Sequence, residues 1–210
     1  MAVYEVTFSP TGGTDKVTDI LMEGCQEEKK EISLLSAEDH YGNYEFQKDD
    51  ICFISMPSYG GRIPQIAAER LIQMKGNGAK AVLVCVYGNR AYEDTLIELK
   101  DKAEEAGFVI YGAVAAVAEH SIMRKFAAGR PDAGDVEELR AFGKKLREKL
   151  EQEADLEEVK KVDEKKCIAC MRCIAVCPKN VRKLNKVVLL AAETKMAKLF
   201  EERKENELFL

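Results

Sequence analysis

The chain has 210 residues, a net charge of −5 and 46% hydrophobic residues, enough for a sizeable core and, at this length, for one large domain or a medium domain with an appendage. No window approaches 18 consecutive apolar residues, so no membrane span is expected, and the N-terminus lacks the basic-then-apolar pattern of a signal peptide. The charge is uneven: residues 160–210 hold 13 Lys plus Arg against 7 Asp plus Glu, leaving 19 against 30 in the first 159. Two modules with different surfaces are implied.

The elements follow in chain order. Ala2–Phe8 reads as a strand and Thr14–Glu23 as a helix, with SPTGGT between them. Glu31–Leu35 is a short strand. Asp50–Met56 is an apolar run of strand length, followed by PSYGGR and a helical pattern over Pro64–Met74. Lys80–Val86 is another strand of the fully buried kind, followed by YGNRAY and a helix ending at Gly107. Phe108–Val117 is the last strand, and Val136–Glu151 an amphipathic helix. Strands apolar on both faces and separated by helices predict an α/β fold, a doubly wound five-stranded parallel sheet in the order 2-1-3-4-5. The domain is expected over residues 1–153, with a charged linker at 154–163 and a cysteine-bearing segment at 164–210.

In such a sheet the ligand lies outside the carboxyl ends of the strands where their order reverses, and three loops fall there. SPTGGT leads straight into a helix, whose first N–H groups are an anion site. Gly12 and Gly13 allow close backbone approach, and Ser9, Thr11 and Thr14 add hydroxyl donors. The plainer alternative is a capped turn with Thr14 near the cap. No Walker lysine follows, and the pattern is not GxGxxG. PSYGGR and YGNRAY bring Tyr59, Tyr87 and Tyr92 to the same edge, with faces suited to a flat aromatic ligand.

These loops resemble those of flavodoxins. The resemblance implies FMN, with Ser9, Thr11, Gly12, Gly13 and Thr14 at its phosphate. Pro57, Ser58, Tyr59, Gly60 and Gly61 would line one side of the ring, and Tyr87, Gly88, Asn89 and Tyr92 the other. AEHS at Ala118–Ser121 and AAGRPD at Ala127–Asp132 resemble the flavodoxin half of bacterial flavodoxin–ferredoxin fusions; His120 reads as a structural histidine rather than a catalyst.

KCIACMRCIAVCPKN contains C-x₂-C-x₂-C-x₃-C-P at Cys167, Cys170, Cys173, Cys177 and Pro178, the bacterial ferredoxin spacing for a [4Fe–4S] cluster. Zinc is the alternative, although zinc sites more often pair two separated C-x₂-C units. No cysteine follows Cys177. Either it completes one local cluster, or three cysteines bind and the fourth iron takes another ligand. Cys52 and Cys85 sit in apolar strands and read as core. Seven cysteines with one dense group do not suggest a disulfide framework, so the cytoplasm is the expected compartment.

Together the two parts resemble the flavodoxin–ferredoxin fusions over nearly the whole chain. The resemblance implies an electron carrier linking FMN, one [4Fe–4S] cluster and a protein redox partner, with no catalytic residue, nucleic acid or membrane involved. The alternatives are a flavin-dependent reductase of a small acceptor and a binding module with a structural metal.

Overall fold

The computed structural model describes residues 1–154 apart from Gly24, Gln26 and Glu27, with side chains as far as Leu150. The expected linker, the cysteine run and the expected last helix lie outside the described residues. Five strands, β1 (Val3–Thr7), β2 (Lys29–Ser33), β3 (Ile51–Pro57), β4 (Lys80–Tyr87) and β5 (Val109–Val117), form one sheet. All pairs are parallel, as strands apolar on both faces predict, and the order is the expected β2-β1-β3-β4-β5. The helices are α1 (Gly13–Met22), α2 (Gln65–Leu71), α3 (Thr95–Glu105) and α4 (Ala133–Ala154).

Side chains alternate between two cores, as a twofold strand period requires. Cys52, Ile54 and Met56 of β3 and Leu83 of β4 pack with Leu71 of α2 and Leu99 of α3. Phe53 of β3 and Val82 and Val84 of β4 pack on the other face with Val17 and Leu21 of α1 and Leu139 and Leu146 of α4. Each fully buried leucine contributes about 2 kcal/mol of transfer free energy. Cys52 and Cys85 are both 0% exposed, and burial pushes the Cys85 thiol up to about 12. They are core residues, as their strand context predicts.

Element ends differ from the expected ones where local hydrogen bonds decide them. The last helix begins at Ala133 rather than Val136 because the Asp132 carboxylate accepts the amides of Gly134 and Asp135 at 2.9 and 3.0 Å. The second helix is shorter than Pro64–Met74, since the amides of Gln73 and Met74 turn back three residues to Arg70 and Leu71. No helix among the described residues is long and apolar enough to cross a membrane.

Candidate functional site

Strand register sets the rim of the site. Thr7 of β1 pairs with Ser55 of β3, so β3 runs on by two residues, and Pro57 pairs with Val86 beside Tyr87 of β4. The loops after β1, β3 and β4 therefore leave the sheet as neighbours. They surround a cavity of about 500 Å³, within the usual range of roughly 300–1,000 Å³ for small-ligand sites.

The first loop turns at Gly12, whose amide donates to the Ser9 carbonyl at 3.3 Å and whose φ is +79°. A Cβ there would meet nothing within 4 Å, so glycine serves the backbone conformation rather than space. Helix α1 starts at Gly13 with Gly12 in the cap position; Thr14 is inside the first turn, not at the cap. Capping comes from farther back: the buried Ser9 Oγ accepts the Asp15 amide at 3.0 Å. That bond uses an acceptor lone pair and leaves the Ser9 hydroxyl proton to be donated. Among the described residues the amides of Thr11, Gly13 and Thr14 have no acceptor. They form a ready donor set for an anion.

The second loop is a tight turn. Tyr59 and Arg62 exchange backbone hydrogen bonds of 2.8 and 3.3 Å, with Gly60 and Gly61 at φ +62° and +85° between them. Two successive positive φ values make this a type I′ geometry, open to glycine pairs. Glu98 of α3 holds the turn by pairing with the Arg62 side chain and accepting the Ile63 amide at 3.1 Å. The Arg62 hydrogen bond keeps the Glu98 carboxyl below its ordinary value. Ser58 is fixed twice: its amide donates to Val86 at 2.8 Å, and its Oγ accepts from Thr95 at 2.8 Å. Tyr59 remains 48% exposed at the cavity mouth.

Ten of the residues expected at a ligand line this cavity: Ser9, Thr11, Gly13, Thr14, Pro57, Ser58, Tyr59, Gly60, Tyr87 and Gly88. Gly12, Gly61, Asn89 and Tyr92 do not. Gly12 faces a smaller adjoining cavity. Gly61 is a packing position, since a Cβ there would lie 2.8 Å from Glu93 Cβ. Asn89 is exposed with φ +65°. Tyr92 packs its ring on Tyr87 at 5.3 Å and so supports a lining residue from behind.

The fourth wall, Ala118–Ile122 after β5, lies beyond the three loops that topology singles out. AEHS marks it in the sequence, but nothing in those residues by themselves indicates a cavity wall. His120 Nδ1 accepts the amides of Ile122 and Met123 at 3.2 and 3.1 Å, which places the proton of the neutral ring on Nε2. Its hydrogen bonding is structural, as expected, yet its ring also lines the cavity.

Comparison with known structures finds the same fold. A flavodoxin from the domain Archaea is 14% identical, covering 72% of this chain and 99% of its own with a TM-score of 0.50. The Streptococcus pneumonia TIGR4 flavodoxin (18% identical, 70% and 99% covered, TM-score 0.48) and Flavodoxin 1 from Bacillus cereus (16%, 70% and 98%, 0.49) are also similar. The 4Fe-4S binding domain model matches residues 160–183. The chain joins a flavodoxin-like fold to a ferredoxin-type segment. At such identities the structural likeness establishes the fold alone. No curated protein matched the sequence. The matched segment contains Cys167, Cys170, Cys173 and Cys177, which lie outside the described residues of this flavodoxin-like protein.

Proposed function

We propose that this protein is an electron carrier, with FMN in the flavodoxin-like domain and one [4Fe–4S] cluster on Cys167, Cys170, Cys173 and Cys177. The fold and the iron–sulfur motif support electron transfer in general. The observation that carries the finer reading is the amide set of Thr11, Gly13 and Thr14, without acceptors among the described residues, beside a cavity lined by Tyr59 and Tyr87. The donor chemistry suits a phosphate and the tyrosine faces suit a flat ring.

In this reading the three amides and the Ser9 hydroxyl donate to the phosphate, so the anion is held by dipoles oriented before binding. Thr95 and Glu98 keep the second loop in place through Ser58 and the Arg62–Ile63 corner. The Tyr92 ring supports Tyr87, while His120 fastens the turn of the fourth wall. When bound, the flavin supplies one- and two-electron redox chemistry and the cluster one-electron transfer. The chain's part is to hold, orient and tune them. An external protein exchanges electrons with the pair.

The test is an absorption spectrum of the full chain isolated anaerobically. Flavin bands over broad iron–sulfur absorption are expected. Colourless protein that fails to take up added FMN would overturn the proposal, and steady turnover of a small acceptor would replace it with a reductase.

A further inference from the structure

Beside the main cavity is a second one of about 270 Å³, and the two share Thr11, Gly13, Ala118, Glu119 and Ser121 in their walls. Three cations line it: Lys16 from α1, and Arg124 and Arg130 from the connection between β5 and α4. Among the described residues Glu119 is the one carboxylate in its wall.

The three cations are not equivalent. Arg130 is committed to Asp135, which takes its Nε at 2.7 Å and also its NH2 group. Lys16 Nζ donates to the Pro131 carbonyl at 3.2 Å, and its charge also acts on the Asp135 carboxylate. Arg124 is 76% exposed, and its Nε stands 3.9 Å from Glu119 Oε1, beyond hydrogen-bonding distance. Glu119 Oε2 already accepts the Gly129 amide at 2.9 Å. Arg124 is thus the most loosely held of the three cations, next to amides that have no acceptor among the described residues.

We infer that this cationic cavity is the outer half of the phosphate site, with Arg124 and Lys16 making the protein select phosphorylated over unphosphorylated flavin. The inference rests on the flavin reading above and adds what that reading lacks, a source of net positive charge. Amides and hydroxyls supply dipoles, but a phosphate dianion is better neutralised when a guanidinium closes on its outer oxygens. Arg124 suits that role because it is exposed, loosely paired and lines the same cavity as Gly13 and Lys16 of the first turn of α1. The loop itself is fixed at its base, where Glu119 and Arg130 join at 3.1 Å through their backbones.

The experiment is titration of flavin-free full-length protein with FMN and, separately, with riboflavin, followed by flavin fluorescence. Wild type is expected to bind FMN more tightly, with the preference shrinking as salt is raised. Arg124→Gln is expected to weaken FMN about tenfold, the order for one charge-assisted hydrogen bond at an exposed site. Riboflavin binding should not change, and Arg124→Lys should recover part of the loss. A similar loss for both flavins would mark Arg124 as merely structural and overturn the inference, as would no loss for either. Both results leave the flavin reading standing. Failure of wild type to bind either flavin would overturn that reading and this inference with it.

Discussion

The ring of His120 lies so close over Gly88 that a Cβ on Gly88 would stand 2.7 Å from His120 Cδ2. The third loop and the fourth wall of the cavity are therefore packed face to face, with the absence of a side chain at one position making room for the imidazole of the other. Gly88→Ala should push His120 and its turn outward. Overpacking of this kind costs about 1–3 kcal/mol, so a lower denaturation midpoint and weaker FMN binding are both expected. Adding His120→Ala should return part of the stability, because the ring contacts go while the Cβ of residue 120, 2.9 Å from the added methyl, stays. An additive double mutant would show that the two residues do not act on each other.

Thr95 links the start of α3 to the second loop. It is fully buried and donates to Ser58 Oγ at 2.8 Å. Thr95→Val keeps the shape and removes the donor, leaving a cavity-lining hydroxyl without its anchor. A stability loss of about 1 kcal/mol is expected, with a several-fold loss in FMN affinity. Thr95→Ser should restore both. FMN affinity equal to wild type in the valine variant would show that Ser58 does not need this anchor.

The ion pair of Arg130 and Asp135 predicts an acid limb in stability. The Arg130 hydrogen bond holds the Asp135 carboxyl below its ordinary 3.8. A folded value below the unfolded one gives stability that is complete above about pH 4 and lost as pH falls through the folded value. Asp135→Asn should cost about 1–2 kcal/mol near neutral pH. The gap from wild type should close below about pH 4. Urea midpoints measured across that range check it; a gap independent of pH would assign the cost to lost packing instead.

The sheet was readable because its strands are buried on both faces: ICFISM and AVLVCV could be little else at that length, and the strand order places the first and third loops together. The glycine–hydroxyl loop was readable for the same reason, since topology says where a strand end faces a ligand. What the sequence did not disclose are relations between distant residues. Gly88 and His120 are 32 positions apart, and neither signals the other. Gly61, expected at a ligand, lies outside the cavity lining, where Glu93 occupies the space a side chain would need. No Walker lysine follows the first loop. Lys16 and Arg124, separated by 108 positions, meet beside it only through the fold.

The ferredoxin-type segment makes its own prediction. Cys167, Cys170, Cys173 and Cys177 all fall within the matched residues 160–183, and no further cysteine follows. In two-cluster ferredoxins the fourth cysteine of a run serves the other cluster; under the proposed function Cys177 instead completes the cluster of its own run. Anaerobic protein should then contain about four irons and four labile sulfides per chain. In Cys177→Ser both should fall sharply, with the FMN content unchanged because the residues proposed to hold FMN lie in the flavodoxin-like part of the chain. Full cluster content in the variant would mean that three cysteines suffice and another group ligates the fourth iron. One zinc per chain without sulfide would replace the cluster with a structural metal, and with it remove the second electron site.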